Sequence, residues 1–281
     1  MTELRRLMLQ AMTARGLARR TQRSYVSAVR RLAKHYGRSP DQLTVEEIES
    51  YLAGMIEVDG LSWSTCSIAT NAFRFLYHVT LGLKAIDFEV PRPRQPQRLP
   101  EILSSEEVSR LFAAVKHAKH RLAFETIYAC GLRVSEAVQL KVRDIDRDRM
   151  TVRIEQGKGS KDRYVPLSKR LLQRLEHYWA TDRPRHWVFE GSTPERYMHI
   201  TAVQKAYTLA KLRAGIQKHG GVHALRHAYA THLIESGVDV LTVQRLLGHR
   251  SVSTTMRYFH LSQARIAVVR SPLDLLDGLR P

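Results

Sequence analysis

The chain has 281 residues, with 45 Lys+Arg against 27 Asp+Glu and a net charge of +18. That length suits two ordinary domains, and 43% hydrophobic with 26% charged residues suits a folded protein. No apolar run reaches the roughly 20 residues that span a bilayer, and Met1 to Arg20 mixes leucines with five arginines, which excludes the apolar core of a secretory signal. A polyanionic partner, no membrane partner and a cytoplasmic location are therefore expected.

Between Met1 and Arg38 stand ten basic residues (Arg5, Arg6, Arg15, Arg19, Arg20, Arg23, Arg30, Arg31, Lys34, Arg38) and one acid, Glu3, so this segment supplies nine of the eighteen charges. Basic helices can also be plain solvated faces or can dock on anionic lipid; here the apolar positions look committed to a core, which argues against the lipid. Leu4, Leu7, Met8, Ala11 and Met12 recur at helical spacing, and Gly16 suits the left-handed residue past a helix end. A second helix is expected from about Thr21 to Tyr36. Thr44 with Glu47 makes a capping box for a third through Val58, and Ser64 is the expected cap of a fourth from Thr65 to about Leu81. Residues 1–89 thus read as one small helical bundle. Four prolines in the basic stretch Pro91 to Pro100 forbid a helix, so residues 90–100 read as an extended linker.

Beyond the linker, residues 101–281 read as a second domain. Ser104 with Glu107 opens another capped helix, and helices are expected to carry Leu122 to Cys130 and Ser135 to Leu140. The period then changes: Met150 to Glu155 alternates as a strand does, Gly157-Lys-Gly-Ser160 turns, and Arg163 to Leu167 returns antiparallel, which places Lys158 near a hairpin tip. Helices resume near Leu171 to Trp179, Ile200 to Arg213, His223 to Glu235 and Val240 to Leu247. The fold class expected is mainly α with a small antiparallel β-sheet. Cys66 and Cys130, far apart in apolar helical surroundings, are expected to be structural thiols.

The chemistry is concentrated late in the chain. His223 and Arg226 share a helix face, Gly248-His249 comes next, and Tyr258 stands soon after; Arg133 and Lys158 can complete the set. Imidazoles, guanidiniums and a phenol are what a protein needs to hold a phosphodiester and attack it without a metal. Taken singly, each residue has an ordinary reading: a solvated lysine, a packed tyrosine, a helix-end histidine, or an Arg133–Glu136 ion pair. His223 and His227 stand four apart as in zinc hydrolases, but there is no acid between them and no clear third ligand, so a metal is not expected. Lys158 has Gly159 directly after it and Val152 where a nucleotide-binding loop needs glycine, so nucleotide triphosphate binding is not expected either.

Together, Cys130-Gly-Leu-Arg-Val-Ser-Glu136, Gly157 to Leu167, His223-Ala-Leu-Arg-His-Ala-Tyr-Ala-Thr-His232, Leu246-Leu-Gly-His249 and Tyr258-Phe-His260 resemble the successive boxes of the tyrosine recombinases (lambda-integrase family), most closely the Xer-like and transposon- or integron-associated integrases. All six family positions are filled in order. The resemblance implies a two-domain, C-shaped clamp: a helical core-binding domain over residues 1–89, a linker, and a catalytic domain over residues 101–281. Tyr258 would attack the scissile phosphate to leave a 3′-phosphotyrosyl link. Arg133 and Arg226 would hold the non-bridging oxygens, Lys158 would protonate the departing 5′-oxygen, His223 would assist proton transfer at Tyr258, and His249 would hydrogen-bond the phosphate. Glu136 is a candidate to orient an arginine. The resemblance further implies no metal or ATP, double-stranded DNA carrying a recombination site as partner, and a homo-tetramer on two paired sites, alone or with a second recombinase. It also implies that the segment after Tyr258, with Val268, Val269, Leu273, Leu275, Leu276 and Leu279, docks on a neighbouring protomer. Two competing expectations remain at this point, a type IB topoisomerase-like enzyme and a DNA-binding regulator that has lost catalysis. Thr65 to Leu81 and Ile200 to Arg213 are the candidate segments to lie in or near a DNA groove.

Overall fold

The computed structural model describes residues 2–83, 101–155, 162–249 and 251–261, in two compact units, Met1–Gln97 and Arg98–Pro281. The 90–100 linker, Lys158 and the segment beyond 261 lie outside the described residues.

In the first unit, α1 (Glu3–Ala14) buries Met8 and Met12, and Gly16 adopts φ +66° just past its end. Helix α2 (Arg19–Tyr36) turns Ala28, Val29 and Leu32 inward and leaves Arg19, Arg20, Arg23, Arg30, Arg31 and Lys34 exposed. The expected capping box of Thr44 and Glu47 opens α3 (Val45–Glu57). At α4 (Trp63–Arg74) the expectation of a Ser64 cap fails. Ser62 accepts the Thr65 amide at 3.4 Å, and Ser64 lies within the first turn. Two serines flank Trp63, and only the burial of Cys66, Ala69 and Phe73 sets which one stands at the helix start. Nor does a regular helix continue to Leu81: Phe75–Thr80 forms a wider π-helical coil. That coil carries the adjacent Leu76 and Tyr77 into the core, where the Tyr77 hydroxyl donates to the Pro40 carbonyl.

The second unit is organised around α6 (Ala118–Cys130), whose Leu122, Ala123, Phe124, Ile127 and Cys130 are all buried. It comes after α5 (Ser105–Ala113), capped by Ser104 and Glu107 as expected. Helix α7 (Val134–Val138) is shorter than its pattern suggested. The antiparallel sheet runs β1 (Ile145–Asp146), β2 (Thr151–Ile154), β3 (Arg163–Pro166), with Val152 opposite Val165. Two residues are too few for an alternation to be read, so β1 was not expected. Next come α8 (Lys169–Asp182), α9 (Ile200–Arg213), α10 (His223–Glu235), α11 (Val240–Leu247) and α12 (Val252–Leu261), which carries Tyr258. Helix α12 has no sequence signature because Ser253, Thr254 and Thr255 are weak helix formers. It forms by packing on α10 and α11. Both thiols are buried, and desolvation pushes that of Cys130 up to about 12, consistent with an inert, structural residue. No helix among the described residues is long and apolar enough to cross a membrane.

The end of α6 sets the direction in which the chain enters α7. Gly131 adopts φ +60°, and a Cβ there would lie 2.4 Å from the Tyr229 ring. Gly131→Ala combines left-handed strain with overpacking and is expected to destabilise this unit by about 2–4 kcal/mol, read by urea denaturation. An unchanged midpoint would show that the turn has another accommodation.

Candidate active site

Four separate stretches of chain supply the polar cluster. The left-handed turn at Gly131 delivers Arg133 to the start of α7, α10 presents His223, Arg226 and His227, the end of α11 delivers His249, and α12 delivers Tyr258. The structure thus brings together Arg133, His223, Arg226, His249 and Tyr258 of the sequence-predicted set.

Arg226 is the fixed centre. It is 1% exposed, and its guanidinium donates from Nη1 to the Gly131 carbonyl and from Nη2 to the Leu247 carbonyl, both at 2.6 Å. Its Nη2 also lies 3.1 Å from His249 Nε2. A guanidinium can only donate, so Nε2 of His249 is the acceptor, and its Nδ1–H donates to Thr255 Oγ1 at 2.9 Å. Arg226 therefore clamps the ends of α6 and α11 and fixes one histidine tautomer. Burial, then the charge of Arg133, lowers its pKa to about 10, which still leaves it cationic at neutral pH.

Glu136 is the hub beneath it. Arg163 of β3 meets its carboxylate at 3.0 and 2.7 Å, Arg133 meets it at 2.6 Å through Nη1 and at 2.8 Å through its own amide, and Arg226 is 3.7 Å away. Burial pushes this carboxyl up, but the Arg163 hydrogen bond and charge, together with those of Arg133, bring it down to about 2. Three guanidiniums around one carboxylate leave two positive charges uncompensated among these four groups, so the pocket attracts an anion. Arg163 also donates from Nε to the Leu246 carbonyl at 2.8 Å, tying the sheet to the end of α11.

Tyr258 is 4% exposed and packs with Tyr229, Ala230, Ile234, Val243 and Leu247. Its hydroxyl lies 2.7 Å from Nδ1 of His227. The His223 ring meets that of His227 edge to face, with centroids 4.6 Å apart. His227 and His249 are both pushed down to about 4, by desolvation first and then by neighbouring basic groups, with His223 leading for His227 and Arg226 for His249. Sequence reading missed His227, weighing it only as half of a metal pair, passed over Arg163 inside a longer motif and did not single out Thr255. The four-residue step from His223 was the available signal for His227. Among the described residues no group of three or more His, Cys, Asp or Glu is arranged to hold a metal ion.

These histidines make stability acid-sensitive. Their folded pKa lies below the ordinary 6.5, so as pH falls through 6.5 the unfolded chain takes up protons first, and stability drops until the folded groups protonate near 4. Each contributes a loss of at most about 2 kcal/mol between pH 7 and 5. The expected result is a shallower pH dependence for His249→Gln than for wild type in urea denaturation. Equal slopes would show that His249 is not held neutral in the folded chain.

A cationic pocket holding a phenol against an imidazole is the equipment of a phosphoryl-transfer site. The phage integrase family model matches residues 101–265, and the phage integrase N-terminal SAM-like domain matches residues 4–87. A putative integrase/recombinase of Sinorhizobium fredii is 43% identical, over 100% of this chain and 92% of the relative. The tyrosine recombinase XerA of Thermococcus onnurineus is 32% identical, over 94% and 93%. The chain belongs to the phage integrase family, the tyrosine recombinases. The fold agrees with that of the XerH site-specific recombinase in its post-cleavage complex with a palindromic difH substrate, with a TM-score of 0.72 at 22% identity over 91% of this chain and 80% of the other.

Proposed function

We propose that the protein is a site-specific DNA recombinase that cuts and rejoins duplex DNA through Tyr258. The observation that carries the reading is the Tyr258 hydroxyl held beside a pocket in which Arg133, Arg163 and Arg226 outnumber Glu136. A phosphodiester entering there supplies the missing negative charge. The guanidiniums of Arg133 and Arg226 hold its non-bridging oxygens, where charge accumulates in the transition state. Attack by Tyr258 leaves a 3′-phosphotyrosyl link and a 5′-hydroxyl, with Lys158 protonating the departing oxygen. His223, at the exposed start of α10, and His249, fixed by Arg226 and Thr255, complete the set around the phosphate. The link conserves the energy of the broken bond, so the 5′-hydroxyl of a second duplex reverses the attack and no nucleotide is consumed.

The exposed basic face of α2 supports binding along the phosphate backbone, with affinity falling steeply as salt rises. Helix α4 and helix α9 are the segments proposed for a groove. The reading includes residues 1–89 as the core-binding domain, residues 101–281 as the catalytic domain, assembly as a tetramer on two paired sites with C-terminal segments exchanged between protomers, and action in the cytoplasm. Family membership and the reactive set favour recombination over a topoisomerase-like or silent DNA-binding role.

The test is a set of nicked suicide duplexes drawn from sequence flanking the gene, incubated with the full chain in EDTA and resolved on a denaturing gel. A protein–DNA adduct through a 3′-phosphotyrosine is expected. Tight binding with no adduct on any duplex would overturn the reading.

A further inference from the structure

We propose that His227 orients Tyr258 and takes its phenolic proton as the phosphate is attacked. The inference rests on Tyr258 being the nucleophile, and it assigns to a residue outside the six family positions the proton transfer that the family resemblance implies for His223.

Three observations point to it. The Tyr258 hydroxyl lies 2.7 Å from His227 Nδ1, within ordinary hydrogen-bonding distance. Burial, His223 and Arg226 disfavour the imidazolium, so at neutral pH His227 is neutral and its ring can accept the proton on Nδ1. And His227 adjoins Arg226 on α10, so one rigid helix sets the distance between the proton acceptor and a guanidinium of the phosphate pocket. Among the described residues, the groups facing His227 are Tyr258 from α12 and His223 and Arg226 from its own helix. His223 is exposed at the start of α10 and is in ring contact with His227, on its solvent side.

In the step, the Tyr258 O–H bond breaks and its proton forms an N–H bond at His227 Nδ1. The phenolic oxygen bonds to phosphorus, and the bond from phosphorus to the 5′-oxygen breaks, with Lys158 supplying the proton to that oxygen. In the reverse attack the imidazolium returns its proton to the phenolate. The negative charge of the incoming phosphodiester stabilises the imidazolium only while phosphate is present, which confines the proton transfer to the loaded site.

The experiment measures the rate of adduct formation on a nicked duplex with a normal 5′-oxygen leaving group and on the same duplex with a 5′-bridging sulfur, which needs no proton to leave. His227→Leu is expected to be slowed about 100-fold or more on both duplexes. Lys158→Ala is expected to be slow on oxygen and restored on sulfur. His227→Asn keeps an acceptor oxygen near the Nδ1 position and is expected to fall between His227→Leu and wild type. Replacing Tyr258 by a difluorotyrosine, a more acidic phenol, is expected to recover most of the rate lost in His227→Leu, which a purely structural role for His227 would not permit. Wild-type rates in a DNA-binding His227→Leu, or a loss that the acidic phenol does not recover, would overturn the inference and leave Tyr258 as nucleophile. Absence of an adduct in wild type would instead remove the reading beneath it.

Discussion

Tyr258→Phe is expected to bind DNA with wild-type affinity and to form no detectable covalent adduct. The substitution removes one oxygen and leaves the ring packed against Tyr229, Ile234, Val243 and Leu247, so the core packing is kept while the hydroxyl contact with His227 is lost. One such hydrogen bond contributes about 1 kcal/mol, which for a unit of this size moves the melting temperature by only about 2–4 °C. Thr255 is fully buried and its hydroxyl oxygen accepts from His249. Gel detection of the adduct, filter binding and a thermal melt, run side by side, separate the outcomes. A residual adduct in Tyr258→Phe would place the nucleophile on another residue.

Glu136→Gln is the second change with a large expected effect, and it acts on stability as well as on activity. The carboxylate is 8% exposed and is shared by Arg133 and Arg163, with Arg226 at 3.7 Å. An amide of the same shape leaves three guanidiniums facing a neutral group in a desolvated pocket. Breaking a buried ion pair from one side costs about 3–5 kcal/mol, which corresponds to a fall in melting temperature on the order of 10 °C. The contribution is present above the ordinary carboxylate range and is lost as pH falls towards 2, because the folded pKa is depressed. A double change, Glu136→Gln with Arg163→Leu, is expected to cost less than the sum of the two, since the second removes a cation that the first stranded. Strict additivity, or a Glu136→Gln variant within about 1 kcal/mol of wild type, would show that the carboxylate is not the hub of the arginines.

Much of this was legible in the residues themselves. The helical spacing of Leu4, Leu7, Met8 and Met12, the capping boxes at Thr44 and Ser104, and the alternation from Met150 to Glu155 are local signals, and each marks an element where the structure has one. The spans His223–Glu235 and Val240–Leu247 agree at both ends. Where reading failed, the cause was non-local. Ser62 rather than Ser64 caps α4 because burial of the residues after it sets the helix phase, and α12 forms from weak helix formers because α10 and α11 cover it. Strand β1 exists only as the partner of β2.

The same division runs through the site. Residue type and order, together with the family resemblance, pointed to Arg133, Lys158, His223, Arg226, His249 and Tyr258, because binding and attacking a phosphodiester requires cations, imidazoles and a nucleophile. Which of them touch was decided by the tertiary structure. Hydrogen bonds and ion pairs are made across spans such as the 27 residues from Glu136 to Arg163, the 95 from Gly131 to Arg226 and the 31 from His227 to Tyr258. No local pattern encodes such distances. They arise from how α6, α10, α11 and α12 close around one another, and that packing presents His227 to the Tyr258 hydroxyl.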